Sequence, residues 1–288
     1  MNDLIINISW KETCCDFQSL FGQGETTNIT PLESGLEADV FMISTLKSKY
    51  VLKIWCRDSK PDISVQYKLL ESMYNQGIPV SKPFGWGMDV NNNQVLLTSF
   101  DGTSIQKVNK LKLTKFANIL TEVHKFKLDK LGSITIPRYD FVDYFFSGID
   151  EQLDIKELLI QLVEDSKIVQ NCLIHGDYNL RNILESEDKY TIIDWTNIQV
   201  GDPRFDIAWS MIIIRIYVSE KYSLIYRSIF LTKNNYTEDE LERFEALACL
   251  RWIHLNRISN LPKLHNTIST VRAILKKNKY LNDGLNLM

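Results

Sequence analysis

The sequence predicts an α+β fold in two parts: a first lobe built on an antiparallel sheet with one long helix, then a larger, mainly helical lobe. Three observations predict it. Through most of the first hundred residues apolar side chains alternate with the period of strands, interrupted by one helical stretch. After Gly102 the period becomes that of amphipathic helices. Residues 172–209 then break the helical pattern and gather polar side chains between apolar flanks.

In chain order, ITPLESGLEADVFMIST alternates around Gly35, and KSKYVLKIW sets Val51, Lys53 and Trp55 on one face of a strand with Leu52 and Ile54 on the other. From Asp62 to Tyr74, apolar residues at 65, 69, 70 and 73 have helical spacing, which Asn75-Gln76-Gly77 stops. NNNQVLLTSFDG is a further strand. Phe100-Asp101-Gly102-Thr103 marks the boundary, dividing residues 1–101 from 102–288. Leu111 to Phe126 is apolar at 113, 116, 119, 120 and 123, and Ile155 to Val169 repeats the pattern. Two short β-like runs follow, Asn182 to Leu184 and Tyr190 to Ile193. Ile207 to Val218 reads as a buried core helix, and Thr237-Glu238-Asp239-Glu240 as a capping box opening a long helix through Ile258.

Composition excludes several classes. With 44% hydrophobic and 24% charged residues in 288, the chain can bury a large core and is not disordered over most of its length. A net charge of −3 argues against nucleic acid or anionic lipid as partner. No run approaches the ~18 apolar residues of a membrane span, and MNDLIINISWKE has no secretory signature. The five cysteines fit neither a zinc pair nor C-x-x-C, so reduced thiols in a cytoplasmic protein are expected. A monomer or weak dimer is expected as well.

The chemistry-bearing stretch reads CLIHGDYNLRNILESEDKYTIIDWTNIQVGDPRFDIAW. Asn182 follows Asp177 by five residues, and Asp194 ends the apolar strand Thr191-Ile192-Ile193. Phosphoryl transfer needs groups of this kind: one carboxylate to orient or deprotonate a hydroxyl, and an amide oxygen with a second carboxylate to hold Mg²⁺. The D-x-x-x-x-N spacing followed by a strand-end Asp is how protein kinases supply them. Each residue alone would suit a turn.

These residues resemble the aminoglycoside phosphotransferase family, small-molecule kinases of the protein-kinase-like fold. H-G-D-x-x-x-x-N, I-I-D-W and G-D-P-x-x-D-I-A carry the resemblance, joined by VLKIW, GIPVSKPFGWG, VLLTSFDGTSI and FANILTEVHKF. The resemblance implies a bilobal fold and transfer of the γ-phosphoryl group of ATP or GTP to a hydroxyl of a small molecule. It implies Asp177 as catalytic base or hydroxyl-orienting residue, and Asn182 and Asp194 as Mg²⁺ ligands. Lys53 would bind the α/β-phosphates, amides near Ser34-Gly35-Leu36 would cover them, and the backbone of Thr98, Ser99, Phe100 and Asp101 would meet the adenine. His175 would brace the loop, while Asp202 and Asp206 would cap the next helix and tie the loops. The sequence departs from the family pattern in having a single glycine, Gly35, in the phosphate loop. Gln66 stands where the family has a glutamate, with Glu71 as an alternative partner for Lys53.

Outside the motif, His124 reads as a packed, hydrogen-bonded residue, and Trp195 as core or pocket wall. Tyr139, Phe141, Tyr144, Phe145 and Phe146 read as core with some cleft wall. Family members phosphorylate aminoglycosides, macrolides, choline, homoserine and sugars. Residues 207–288, on the acceptor side in this family, hold 12 basic and 7 acidic residues, which disfavours a polycationic acceptor. Asp143, Asp150, Glu151 and Asp154 could supply a local acidic patch. A metabolite kinase of the choline, homoserine or sugar type stays open, and so does a catalytically silent kinase-like binding protein.

Overall fold

The computed structural model describes residues 5, 7–14, 17, 20, 27–32, 38–59, 61–132, 134–187, 189–234, 236–259 and 261–287. Ser34, Gly35 and Leu36 lie outside the described residues. The chain forms two compact units. The first gathers the described residues up to Ser104 with Asp129–Thr135 and Ile183–Thr196; the second gathers Ile105–Leu128, Ile136–Asn182 and the described residues from Asn197 onward.

The first unit is a six-stranded antiparallel sheet of β1 (Ser9–Thr13), β2 (Asn28–Pro31), β3 (Ala38–Ser44), β4 (Lys49–Trp55), β5 (Pro83–Met88) and β6 (Gln94–Ser99). The strands lie in the order β1-β5-β6-β4-β3-β2. Side-chain turns fix the registers. Thr45 Oγ1 accepts from Ser48 N at 3.0 Å and closes the β3–β4 hairpin, while Asp89 Oδ1 accepts from Asn91 N and Asn93 N, both at 2.8 Å, between β5 and β6. Alternation along β4 sends Tyr50 and Leu52 into a core with Ile43, Phe84, Val95 and Leu97. On the other face Lys53 Nζ sits 5.9 Å from the Trp55 ring centroid.

Helix α1 (Ile63–Asn75) packs on β5 and β6. Asp62 caps its start by accepting from Ser64 N and Val65 N. A smaller sheet joins β7 (Thr103–Ser104), β9 (Ile183–Ser186) and β10 (Lys189–Ile192) in the order β10-β9-β7. The short β-like run expected from Asn182 thus begins one residue later, because Asn182 closes a 3₁₀ turn over Leu180–Asn182.

The second unit holds α2 (Lys110–His124), α3 (Phe141–Phe145), α4 (Leu153–Ser166), α5 (Pro203–Tyr217), α6 (Glu220–Lys233), α7 (Glu238–Ser259) and α8 (Thr267–Lys277). It also has a two-stranded ribbon, β8 (Cys172–Ile174) with β11 (Gln199–Gly201). Helix α5 is the centre: it packs against α6, α7 and α8 and buries ten side chains, from Phe205 to Ile216. Phe141, Phe145 and Phe146 enter the same core, whereas Tyr139 is exposed and stacks on Tyr144 with ring centroids 4.5 Å apart. No helix among the described residues is long and apolar enough to cross a membrane. Cys14, Cys56, Cys172 and Cys249 are free thiols.

Candidate active site

The H-G-D loop leaves β8 at Ile174, whose register partner is Gln199 on β11. Gly176 has φ +77°, and a Cβ there would lie 2.5 Å from Asn197 O, so the turn requires glycine. The backbone is gripped from beneath by Asp206 on α5. Its carboxylate is fully buried and accepts from His175 N at 2.7 Å, Gly176 N at 2.8 Å and His124 Nε2 at 3.2 Å. His175 Nδ1 in turn accepts from Asp177 N at 3.2 Å. Tyr178 anchors the next residue, its hydroxyl donating to Phe116 O on α2 and its carbonyl accepting from Ser210 Oγ.

Asp177 therefore leaves a rigid frame. Its Oδ1 accepts from Trp209 Nε1 at 2.7 Å and its Oδ2 from Asn182 Nδ2 at 3.1 Å. Asn182 Nδ2 also donates to Asp177 O at 2.9 Å. With its NH₂ committed to Asp177, the Asn182 amide is orientated, and its oxygen is the group left to accept a hydrogen bond or a cation. Asp202 caps α5 through Arg204 N at 3.0 Å, accepts from Val169 N at 2.9 Å, and forms an ion pair with Arg204 at 2.7 Å.

The other sequence-derived residues belong to the first unit. Asp194 follows β10 with φ +65°, a left-handed conformation that costs a non-glycine residue about 1–2 kcal/mol. Its Oδ1 accepts from Thr196 Oγ1 at 3.1 Å. Trp195 is buried, and its indole donates to Ile192 O. Lys53 has no carboxylate within ion-pair distance among the described residues. Gln66 is buried on α1, and Glu71 is exposed. At the end of β6, Ser99 N donates to Lys82 O at 2.9 Å and Phe100 N to Lys49 O at 3.2 Å. Ser99 Oγ donates to Asp101 Oδ1 at 2.8 Å. Burial pushes the Asp101 carboxyl up against the lowering effect of Ser81 and Ser99.

Two residues of the loop's surroundings escape sequence reasoning, Trp209 and Arg251. Arg251, on α7, is buried and donates from Nη1 to Gly176 O at 2.7 Å. The signal for it is a lone cation inside the apolar run ALACLRWIHL, a position where burial demands a specific partner. Trp209 lies three residues after Asp206, on the same helix face, and is hidden among apolar neighbours.

A six-stranded antiparallel unit with one long helix, and a helical unit carrying an H-G-D-x-x-x-x-N loop, define the protein-kinase-like fold of small-molecule kinases. Solved structures share it. One is a thermostable mutant of an aminoglycoside phosphotransferase in its apo form, 15% identical, with a TM-score of 0.64 over 92% of this chain and 99% of that one. A second is an amicoumacin kinase in complex with AMP-PNP, Ca²⁺ and Ami, 16% identical, with a TM-score of 0.64 over 90% of each chain. A third is a choline kinase from Streptococcus pneumoniae, 15% identical, with a TM-score of 0.63 over 91% of this chain and 95% of that one. No curated protein matches the sequence. The chain belongs to the phosphotransferase enzyme family, which it matches over residues 28–242.

Proposed function

We propose that the protein is a small-molecule kinase that moves the γ-phosphoryl group of ATP or GTP to a hydroxyl of its acceptor. The observation that carries this reading is the pairing of Asp177 and Asn182, a carboxylate orientated by two donors beside an amide whose NH₂ is committed to it. Asp177 accepts a hydrogen bond from the acceptor hydroxyl and aims its lone pair at the γ-phosphorus. As the new O–P bond forms and the β,γ-bridging O–P bond breaks, the hydroxyl proton passes to Asp177 and the nucleoside diphosphate leaves. Asn182 Oδ1 and the Asp194 carboxylate are hard oxygen donors that suit Mg²⁺. That ion, when bound, screens the phosphate charge.

Lys53 serves the α/β-phosphates. The backbone of the Thr98–Asp101 segment meets the purine; since the Ser99 and Phe100 amides already donate to Lys82 O and Lys49 O, these two residues have their carbonyls left to offer it. The AMP-PNP bound to the amicoumacin kinase supports an adenine nucleotide.

The acceptor is an antibiotic or a metabolite. Two of the four acids that could form an acidic patch are committed elsewhere: Asp150 pairs with Lys156 at 2.6 Å, and Asp154 binds Arg257 through both carboxylate oxygens. This favours an acceptor of low positive charge over a polycation. The test is nucleotide consumption with Mg²⁺ across aminoglycosides, macrolides, choline, homoserine and sugars, each with ATP and GTP, together with calorimetric nucleotide binding. Transfer to one acceptor class is the expected result; no nucleotide binding and no transfer would refute the reading.

A further inference from the structure

Trp209 is only 4% exposed, yet its indole N–H is spent on a carboxylate: it donates to Asp177 Oδ1 at 2.7 Å. Asn182 Nδ2 holds the other oxygen at 3.1 Å. Two side-chain donors, one from the loop and one from α5, therefore set the plane of the Asp177 carboxylate.

The indole is itself held. The Arg251 guanidinium lies 4.4 Å from the Trp209 ring centroid and 4.5 Å from that of Phe145, and its Nη1 donates to Gly176 O. One buried cation thus touches both the peptide unit before Asp177 and the ring that grips the carboxylate. Such an arrangement is expensive. Burial disfavours the guanidinium's charge, and among the described residues Arg251 Nε has no hydrogen-bond partner. An apolar residue would fill this space at lower cost, so packing does not account for the choice; stacking a planar cation on a ring and bonding a carbonyl does.

We propose that Trp209 is a positioning residue for phosphoryl transfer: its indole N–H fixes the Asp177 carboxylate in one orientation toward the acceptor hydroxyl, and Arg251 holds Trp209 and Gly176 in register. The proposal rests on the reading of Asp177 as the residue that orients the acceptor.

Trp209→Phe keeps a ring and removes the donor. With an acceptor that the wild-type enzyme phosphorylates, kcat should fall about tenfold to a hundredfold, the worth of a hydrogen bond to a charged group. KM for the nucleotide should change by less than about twofold, since the indole meets the carboxylate and not the phosphates. A second readout needs no turnover. In full-length protein labelled with ¹⁵N-tryptophan, Asp177→Asn replaces a charged acceptor with a neutral one and should move one indole N–H proton upfield. That resonance is the one missing from Trp209→Phe. Arg251→Lys, which keeps the charge and loses the stacking plane, should shift the same resonance and lower kcat.

An unchanged kcat in Trp209→Phe, or identical indole spectra in wild-type and Asp177→Asn protein, overturns the proposal. Identical spectra decide against it even where Trp209→Phe does not fold. An unmoved resonance in Arg251→Lys removes Arg251 from it. A wild-type protein that neither binds nucleotide nor phosphorylates any acceptor overturns the functional reading and the positioning role with it, while the indole resonance separately decides whether Trp209 grips the Asp177 carboxylate.

Discussion

Asp206 sits with no exposure beneath the loop, where a carboxylate survives only if every lone pair is answered. Burial pushes its carboxyl up, but the hydrogen bond from His124, the neighbouring imidazoles and the His175 amide outweigh that and hold it below the usual carboxylate range. Its folded-state pKa is therefore lower than the unfolded value of about 3.9. The stability it contributes is complete above the unfolded value and is lost as pH falls through the folded one. Asp206→Asn sets an amide against N–H donors and should cost about 3 kcal/mol. Melting temperatures from pH about 7 to about 2 should show the variant less stable at neutral pH and its acid decline flatter than the wild type's. Asp177→Asn should behave otherwise, abolishing turnover while nucleotide affinity by calorimetry stays within a few fold; a variant that fails to fold would mark Asp177 as structural. Asp177, Asn182 and Asp194 are legible in the sequence because one short stretch holds their joint spacing. Trp209 and Arg251 are not, because they reach the loop from 32 and 75 residues away.

Elements with a local signature are read from the sequence with little error. Helix α7 opens as its capping box dictates: Glu240 Oε2 accepts from Thr237 N and Thr237 Oγ1 accepts from Glu240 N. Helix α1 starts at the residue after Asp62 for the same kind of reason. The β8–β11 ribbon has no such signature, since three residues are too few to show a period and its partners are distant in sequence. Gly102 is likewise readable only as a turn. Its φ is +118°, and a Cβ there would lie 2.2 Å from Glu185 O on β9, so backbone contact as well as conformation demands glycine. Gly102→Ala should destabilise the protein by at least about 2 kcal/mol, read as a lowered denaturant midpoint with an unchanged slope.

At the level of the molecule, composition and periodicity place a strand-rich part before a helical one, and the compact units have that character. What periodicity does not reveal is that the chain passes between the units five times, after residues 104, 128, 135, 182 and 196. Periodicity reports local structure, whereas membership of a unit depends on contacts such as that between Val80 and Ile192, which no local pattern encodes. One passage falls between Asn182 and Ile183, so that Asp177 and Asn182 belong to the helical unit and Asp194 to the strand-rich one. Fragments 1–104 and 105–288, expressed separately, should each lack the cooperative unfolding of the intact chain when followed by circular dichroism. For recombination among relatives, the strand-rich unit is accordingly not a cassette. A chimera with a single breakpoint after Ser104 would pair a foreign sheet with a resident hairpin, whereas one that also imports residues 129–135 and 183–196 carries the unit whole. Shuffled libraries should retain folded members mostly among the latter, so a gene of this kind would inherit its strand-rich unit as separated exchanges or not at all.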